Sequence, residues 1–213
     1  MKNTPMRERY HHGDLRQALI EAALAELDAH GELPSWRALA RACAVSQTAP
    51  YRHFDSFESL QAAVAAAAFD QLTQSIERVG AELPDPYARL GAGLRAYVEF
   101  GRQHPSWYAL MFGNHFVQPL REEVRTAGRA AYATLISAID ACGVPQAENV
   151  AFTVWSAVHG IADLVGNGIS PPDAPSGVAD SAVEGVFAMC VSYVKQAAAR
   201  PITVRGKRAR VSP

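Results

Sequence analysis

Three groups of side chains in this 213-residue sequence have types and spacings that can do chemistry. Ser156, His159 and Asp163 stand at i, i+3 and i+7, so on a helix they share one face, as a nucleophile, a base and an orienting carboxylate would. A serine nucleophile needs an exposed turn and free backbone donors for an oxyanion, whereas mid-helix N–H groups are already used. The blander reading of the trio is a polar patch within helix packing. His159 and Asp163 also offer two metal ligands at i, i+4, but no third or fourth stands at useful spacing, and His104 and His115 are isolated. The third group is Gln47, Thr48, Tyr51, Arg52 and His53, all able to hydrogen-bond within one short stretch. A short helix buried on all sides would not be so polar, so this face should meet something polar. The expectation is a protein with no catalytic residue, no metal and no cofactor.

Composition narrows the classes. Apolar residues make up 49% and charged residues 19%, which is globular, and the length suffices for a core without disulfides or metal. The longest apolar run, Ala62 to Phe69, is far short of the roughly 20 residues that span a bilayer. Cys43, Cys142 and Cys190 are scattered among small apolar residues and read as buried thiols in a reducing compartment. The polar leader has no signal-peptide pattern, so a cytoplasmic protein is expected. Formal net charge is −1, so any attraction to nucleic acid must come from locally placed basic groups.

The elements that must position these groups are helical. Nowhere does β-branched enrichment combine with period-two alternation, and the pattern predicts an all-α fold of about nine helices. The first, over 15–30, lines up Leu19, Ile20, Ala23, Leu24 and Leu27; Asp14 with Gln17 opens it and Gly31 closes it. Ser35 and Ser46 cap two short helices over 36–43 and 47–54, with Pro50 tolerated in the early turns of the second. Asp55 and Glu58 form a capping box for an alanine-rich helix reaching about Val79. Pro84 and Pro86 mark a domain boundary, followed by helices at roughly 87–103, 105–113, 118–142, 146–168 and 177–199. The tail from Pro201, with Arg205, Lys207, Arg208 and Arg210 and no acid, has too little apolar content to pack.

Two short helices joined by a tight turn and braced by a longer one are what a helix-turn-helix requires. Here the likeness becomes specific. PSWRALARACAVSQTAPYRHFDSFESLQAAV, with YHHGDLRQALIEAALAELDAHG before it, resembles the DNA-binding domain of the tetracycline-repressor (TetR) family. HPSWYALMFG and Trp155-Ser-Ala-Val-His159-Gly160 are similar to that family's regulatory domain named for a Trp-His-Gly signature. The resemblance implies a DNA-binding domain over 10–72, a ligand-binding and dimerisation domain over 85–200, and a basic tail over 201–213. It implies a homodimeric, ligand-responsive transcriptional regulator, most simply a repressor, on a pseudo-palindromic operator, with no membrane partner.

Carried over position by position, it implies that Arg37, Gln47, Thr48, Ala49, Tyr51 and His53 face DNA. The chemistry agrees: arginine releases counterions at phosphates, hydroxyls bond phosphate oxygens, glutamine pairs with an adenine edge, and the Thr48 and Ala49 methyls can press on thymine. Phe54 reads as core. Two positions depart from the pattern. Ala44 stands where the turn usually has glycine, so a left-handed backbone there costs about 1 kcal/mol. Phe57 stands where a phosphate-binding lysine is common. Residues 1–60 hold seven basic side chains against eight acidic ones, and Arg7, Arg9, His11 and His12 are either a DNA-tracking arm or a solvated leader.

In the second domain, Trp107, Tyr108, Met111, Phe112, Phe116, Trp155 and His159 are large apolar groups or carry a polar tip, and they are candidates to line a cavity for an unidentified small-molecule effector, or else plain core. The apolar stripes of the last two helices, with Gly160, Gly166 and Gly168, fit a four-helix dimer interface or an intramolecular core. The rival functions are a hydrolase-like enzyme built on Ser156, His159 and Asp163, and a helical adaptor that binds another protein.

Overall fold

Helix α1, Leu15–His30, forms because Leu19, Ile20, Ala23, Leu24 and Leu27 fall on one side and are all buried. It stops at Gly31, whose φ of +77° is left-handed and whose N–H donates to the Leu27 carbonyl at 2.9 Å. The computed structural model describes residues 15–113 and 121–200. Phe116, His115, Asp14, the basic leader and the tail from Pro201 lie outside the described residues. Among those described there are eight α-helices, one 3-10 turn and no strand.

Helix α2, Trp36–Ala42, starts at Ser35, whose hydroxyl accepts the Ala38 N–H at 3.3 Å. Its end is a Schellman motif: Val45 N–H donates to the Ala40 carbonyl and Ala44 N–H to Arg41, which places Ala44 at φ +53°. The left-handed turn foreseen from the sequence is therefore present on an alanine, whose Cβ crowds the backbone there. Replacing Ala44 by glycine is expected to raise stability by about 1 kcal/mol, a melting shift of about 2–4 °C measurable by calorimetry. No gain would mean that the turn relaxes around the alanine.

The second short helix is much shorter than expected. Only Pro50–Arg52 is helical, as a 3-10 turn. Pro50 has no N–H to send back to Ser46, and most of the bonds that form span three residues, Ala49 to Ser46, Arg52 to Ala49 and His53 to Pro50, with one four-residue bond from Phe54 to Pro50 at the end. The Ser46 hydroxyl does not cap this segment; it pairs with the Thr48 hydroxyl at 3.3 Å. Helix α3, Phe57–Gly80, is also capped differently. Ser56, not Asp55, is the N-cap, and the box closes with Ser59, which exchanges hydroxyl and N–H bonds with Ser56 at 3.2 Å each way.

Over its 24 residues α3 extends about 36 Å and joins the small N-terminal head to the rest. Its first half buries Leu60 and Val64 beside α1, and its second half carries Phe69 and Leu72 towards α4 and α6. Helix α4, Pro86–Gln103, opens on Asp85, whose carboxylate accepts the N–H groups of Tyr87 and Ala88, with Pro86 in the first turn. Then come α5, Pro105–Phe112, α6, Glu122–Asp140, α7, Ala147–Gly166, and α8, Val178–Ala198. One continuous apolar core runs through all of them, and Cys43, Cys142 and Cys190 are free and buried in it.

Helix α6 is held at its ends by buried Val124, Ala127 and Ile139, while Ala131, Tyr132, Leu135 and Ile136 between them are only half-buried. Its middle does not close onto the core. Of the three glycines proposed for close helix approach, Gly166 is already used within the chain, since a Cβ there would lie 3.5 Å from the Gly101 carbonyl oxygen. Gly168 lies beyond α7 at φ +66°, in the loop. Gly160 is the one of the three that faces open space from within a helix.

Candidate nucleic-acid interface and ligand cavity

The head presents the polar residues of the 46–54 segment outward. Gln47, Thr48 and His53 are exposed, Ala49 is half-buried, and Tyr51 is 58% exposed. Arg37, at the second position of α2, is exposed as well. The inward side is carried by Pro50 and Phe54, the latter 3% exposed beneath the Arg16 guanidinium at 5.2 Å. The segment thus has a sealed apolar side and, among the described residues, an exposed hydrophilic side. Trp36 was not singled out from the sequence, yet its indole lies 5.2 Å from the Tyr51 ring, 6.2 Å from Phe54 and 5.8 Å from Phe57. Phe57 is occupied by this packing.

Between α3, α4, α6 and α7 lies a cavity of about 1160 Å³. Its walls include Phe69, Leu72, Leu94, Leu135 and Trp155, with the exposed Glu77, Arg89 and Arg129 also bordering it. Of the candidate ligand residues, Phe112 and Trp155 contribute to the walls. Trp107, Tyr108, Met111 and His159 do not. Tyr108 and Met111 are buried in the core, and Trp107 points at the head. The leucines and alanines that contribute to the wall carry no distinguishing sequence mark. The usable signal was the apolar face of α6, which the rest of the chain leaves half-covered.

Beside the cavity, Tyr97, Tyr108 and His159 form a polar cluster. The Tyr108 hydroxyl is 2.6 Å from His159 Nδ1 and the Tyr97 hydroxyl 2.9 Å from it, with 3.3 Å between the two hydroxyls. A neutral imidazole with Nδ1 accepting and the proton on Nε2 satisfies this arrangement. Burial pushes Tyr97 up to about 12 and Tyr108 well above the ordinary tyrosine range, and burial also lowers His159, opposed by the nearby Asp163 charge. Each of these shifts favours the uncharged form of its group. The Ser156, His159, Asp163 constellation does not assemble: the Ser156 hydroxyl donates to the Phe152 carbonyl at 2.8 Å, His159 turns to the tyrosines, and the Asn167 amide donates to Asp163. Among the described residues no three His, Cys, Asp or Glu side chains stand together as a metal site needs. Nor is any described helix long and apolar enough to cross a membrane.

The cavity walls are fastened to the head at two places. On α5, which contributes Phe112 to the wall, Trp107 Nε1–H donates to the Leu24 carbonyl of α1 at 3.0 Å. His104 stacks on Trp107 at 4.1 Å, and its Nδ1 lies 2.9 Å from the Asp28 carboxylate. At the start of α6, Arg121 donates to the Ser56 hydroxyl at 3.2 Å, and Glu123 pairs with Arg16 at 3.1 Å. Helices α7 and α8 also leave an outward face, with Phe152, which borders the cavity as well, 61% and Met189 55% exposed. Gly160 and Gly185 on that face have nothing within 4 Å of where a Cβ would sit.

Residues 90–186 match the family model of a tetracyclin repressor-like C-terminal domain. An uncharacterised HTH-type transcriptional regulator of Mycobacterium tuberculosis (strain ATCC 25618 / H37Rv) is 31% identical over 158 residues, 72% of this chain and 71% of that protein. A solved structure of a protein of unknown function from Rhodococcus sp. RHA1 superposes with a TM-score of 0.71 at 31% identity, covering 90% of this chain and 99% of that one. A TetR-like transcriptional regulator from the same organism shares the fold at 17% identity, TM-score 0.59, over 85% of this chain and 96% of that one.

Proposed function

The chain belongs to the tetracycline-repressor family and is a DNA-binding transcriptional regulator, and from that premise we propose that it occupies a pseudo-palindromic operator as a homodimer and leaves it when an apolar ligand enters the cavity. The reading is of a cytoplasmic, non-catalytic repressor whose head spans about 10–72 and whose regulatory region spans about 85–200. The observation that carries it is the two-sided 46–54 segment, with Pro50 and Phe54 sealed and Gln47, Thr48, Tyr51 and His53 presented outward together. Arg37 and the Tyr51 and Thr48 hydroxyls serve phosphates, and Gln47 serves a base edge.

One such head reads too few base pairs for a genomic site, and a dimer supplies a second about one helical turn, roughly 34–36 Å, away. The open face of α7 and α8, with its exposed Phe152 and Met189, is the surface that a second copy would cover. The cavity's hydrocarbon walls favour an uncharged, largely hydrocarbon effector. Filling it displaces the loosely held middle of α6 and the Phe112 end of α5, and the links from both helices to Asp28, Leu24, Arg16 and Ser56 move the head with them.

Selection of duplexes from a random pool by the full-length protein tests this reading. The expected product is an enriched pseudo-palindrome whose binding weakens steeply with salt and is relieved by long-chain, uncharged hydrocarbon probes that also raise the melting temperature. A pool that never enriches would remove the DNA-reading assignment. Enrichment insensitive to every probe that raises the melting temperature would remove the ligand response alone.

A further inference from the structure

We propose that Trp36 is the positioning residue of the reading segment, holding Tyr51 against the DNA backbone by ring contact without itself touching DNA. This rests on the reading that the 46–54 segment meets the duplex. The buried Pro50 and Phe54 fix the inner side of the segment but not the direction of its outward ring. Its backbone is a single 3-10 turn with mostly three-residue bonds, of poorer geometry than an α-helix has, and Pro50 removes one donor.

The indole of Trp36 spans what the backbone does not. It stands at the first position of α2, held there by the Ser35 cap, and meets Phe57 edge-on at 87°, at the first position of α3. Between these two regular helices it lies over Tyr51 and Phe54 of the reading segment. Among the described residues Trp36 is the aromatic partner of Tyr51, whose ring is otherwise largely in solvent. Ring pairs at such separations favour tilted and edge-on geometry, so the indole selects an orientation of the phenol as well as occupying volume beside it. Without the indole, the Tyr51 side chain exchanges among its staggered first-torsion wells and its hydroxyl loses a fixed aim at a phosphate oxygen.

A double-mutant cycle on the full-length protein separates positioning from plain stability. Operator affinity, by fluorescence anisotropy at fixed salt, is compared for wild type, Trp36→Leu, Tyr51→Ala and the double variant, with Trp36→Phe as the ring-preserving control. Trp36→Leu is expected to weaken binding about tenfold, Trp36→Phe less than about threefold, and Trp36→Leu added to Tyr51→Ala less than about twofold. If Trp36→Leu fails to melt cooperatively, Trp36→Met, which keeps a long apolar side chain but no ring, takes its place in the cycle with the same expectation. Equal fold-losses with and without the Tyr51 ring, or full affinity in the variant lacking the indole, overturn the proposal while leaving the DNA-reading assignment standing. A wild type that binds no selected duplex overturns both.

Discussion

Arginine at both Gly160 and Gly185 is expected to yield a folded monomer that binds the selected operator at least about 100-fold more weakly than wild type. The protomer should tolerate these changes because a Cβ at either site meets nothing within 4 Å. Both glycines lie inside helices, α7 and α8, where arginine is the better helix former by close to 1 kcal/mol. Melting should therefore hold or rise apart from any contribution of assembly. In the proposed dimer through α7 and α8 the same positions would lie where helices of two copies approach, and four guanidinium groups would be brought together out of water. Analytical ultracentrifugation at micromolar protein, with anisotropy on the operator, distinguishes the cases. A variant that stays dimeric and binds as before would show that the copies associate through another surface.

Gln47→Ala and Arg37→Ala are expected to fail in different ways. Gln47 is exposed on the reading segment and has the paired donor and acceptor that an adenine edge requires, so its loss should relax preference at one operator position by about 5- to 150-fold. Arg37 is exposed at the start of α2, where a backbone contact is geometrically natural. Its loss should weaken all duplexes alike and reduce the slope of log affinity against log salt by about 1. Binding measured against every single-base variant of the operator at three salt concentrations checks both. Matching profiles for the two variants would refute the division into base reader and phosphate anchor.

These expectations draw on different amounts of sequence information. The face of α1 was legible because five apolar residues repeat with the helix period, and Gly31 and Ser35 sit at its end and at the next start, where local chemistry decides. The left-handed turn at Ala44 is implied by the family resemblance, since glycine usually stands at that position. The helical extent of the reading segment was misjudged, because capping and polarity argued for a full helix while the cost of one missing N–H depends on whether neighbouring turns can compensate. Ser56 stands in place of Asp55 as the cap of α3, where serine and aspartate cap comparably and Ser59 closes the box with Ser56.

The regulatory region was harder to read. Aromatic residues near the Trp-His-Gly signature stand out by type, yet of the described ligand candidates Phe112 and Trp155 alone reach the cavity, while Phe152 beside them, not among the candidates, also lines it. Tyr108 and His159 face each other beside it, and Trp107 turns away to the Leu24 carbonyl.

By itself the sequence determined the all-helical class, the order of the elements, the outward polar set of the 46–54 segment and the family to which the chain belongs. These follow from periodicity, caps and motifs, which act between residues a few positions apart. Tertiary structure alone decided where empty space remains, which aromatic ring braces Tyr51, and how His104, Trp107, Arg121 and Glu123 tie the cavity walls to the head. Those contacts join residues 15 to 107 positions apart, and their partners are selected by how whole helices cross, a quantity that no local pattern encodes.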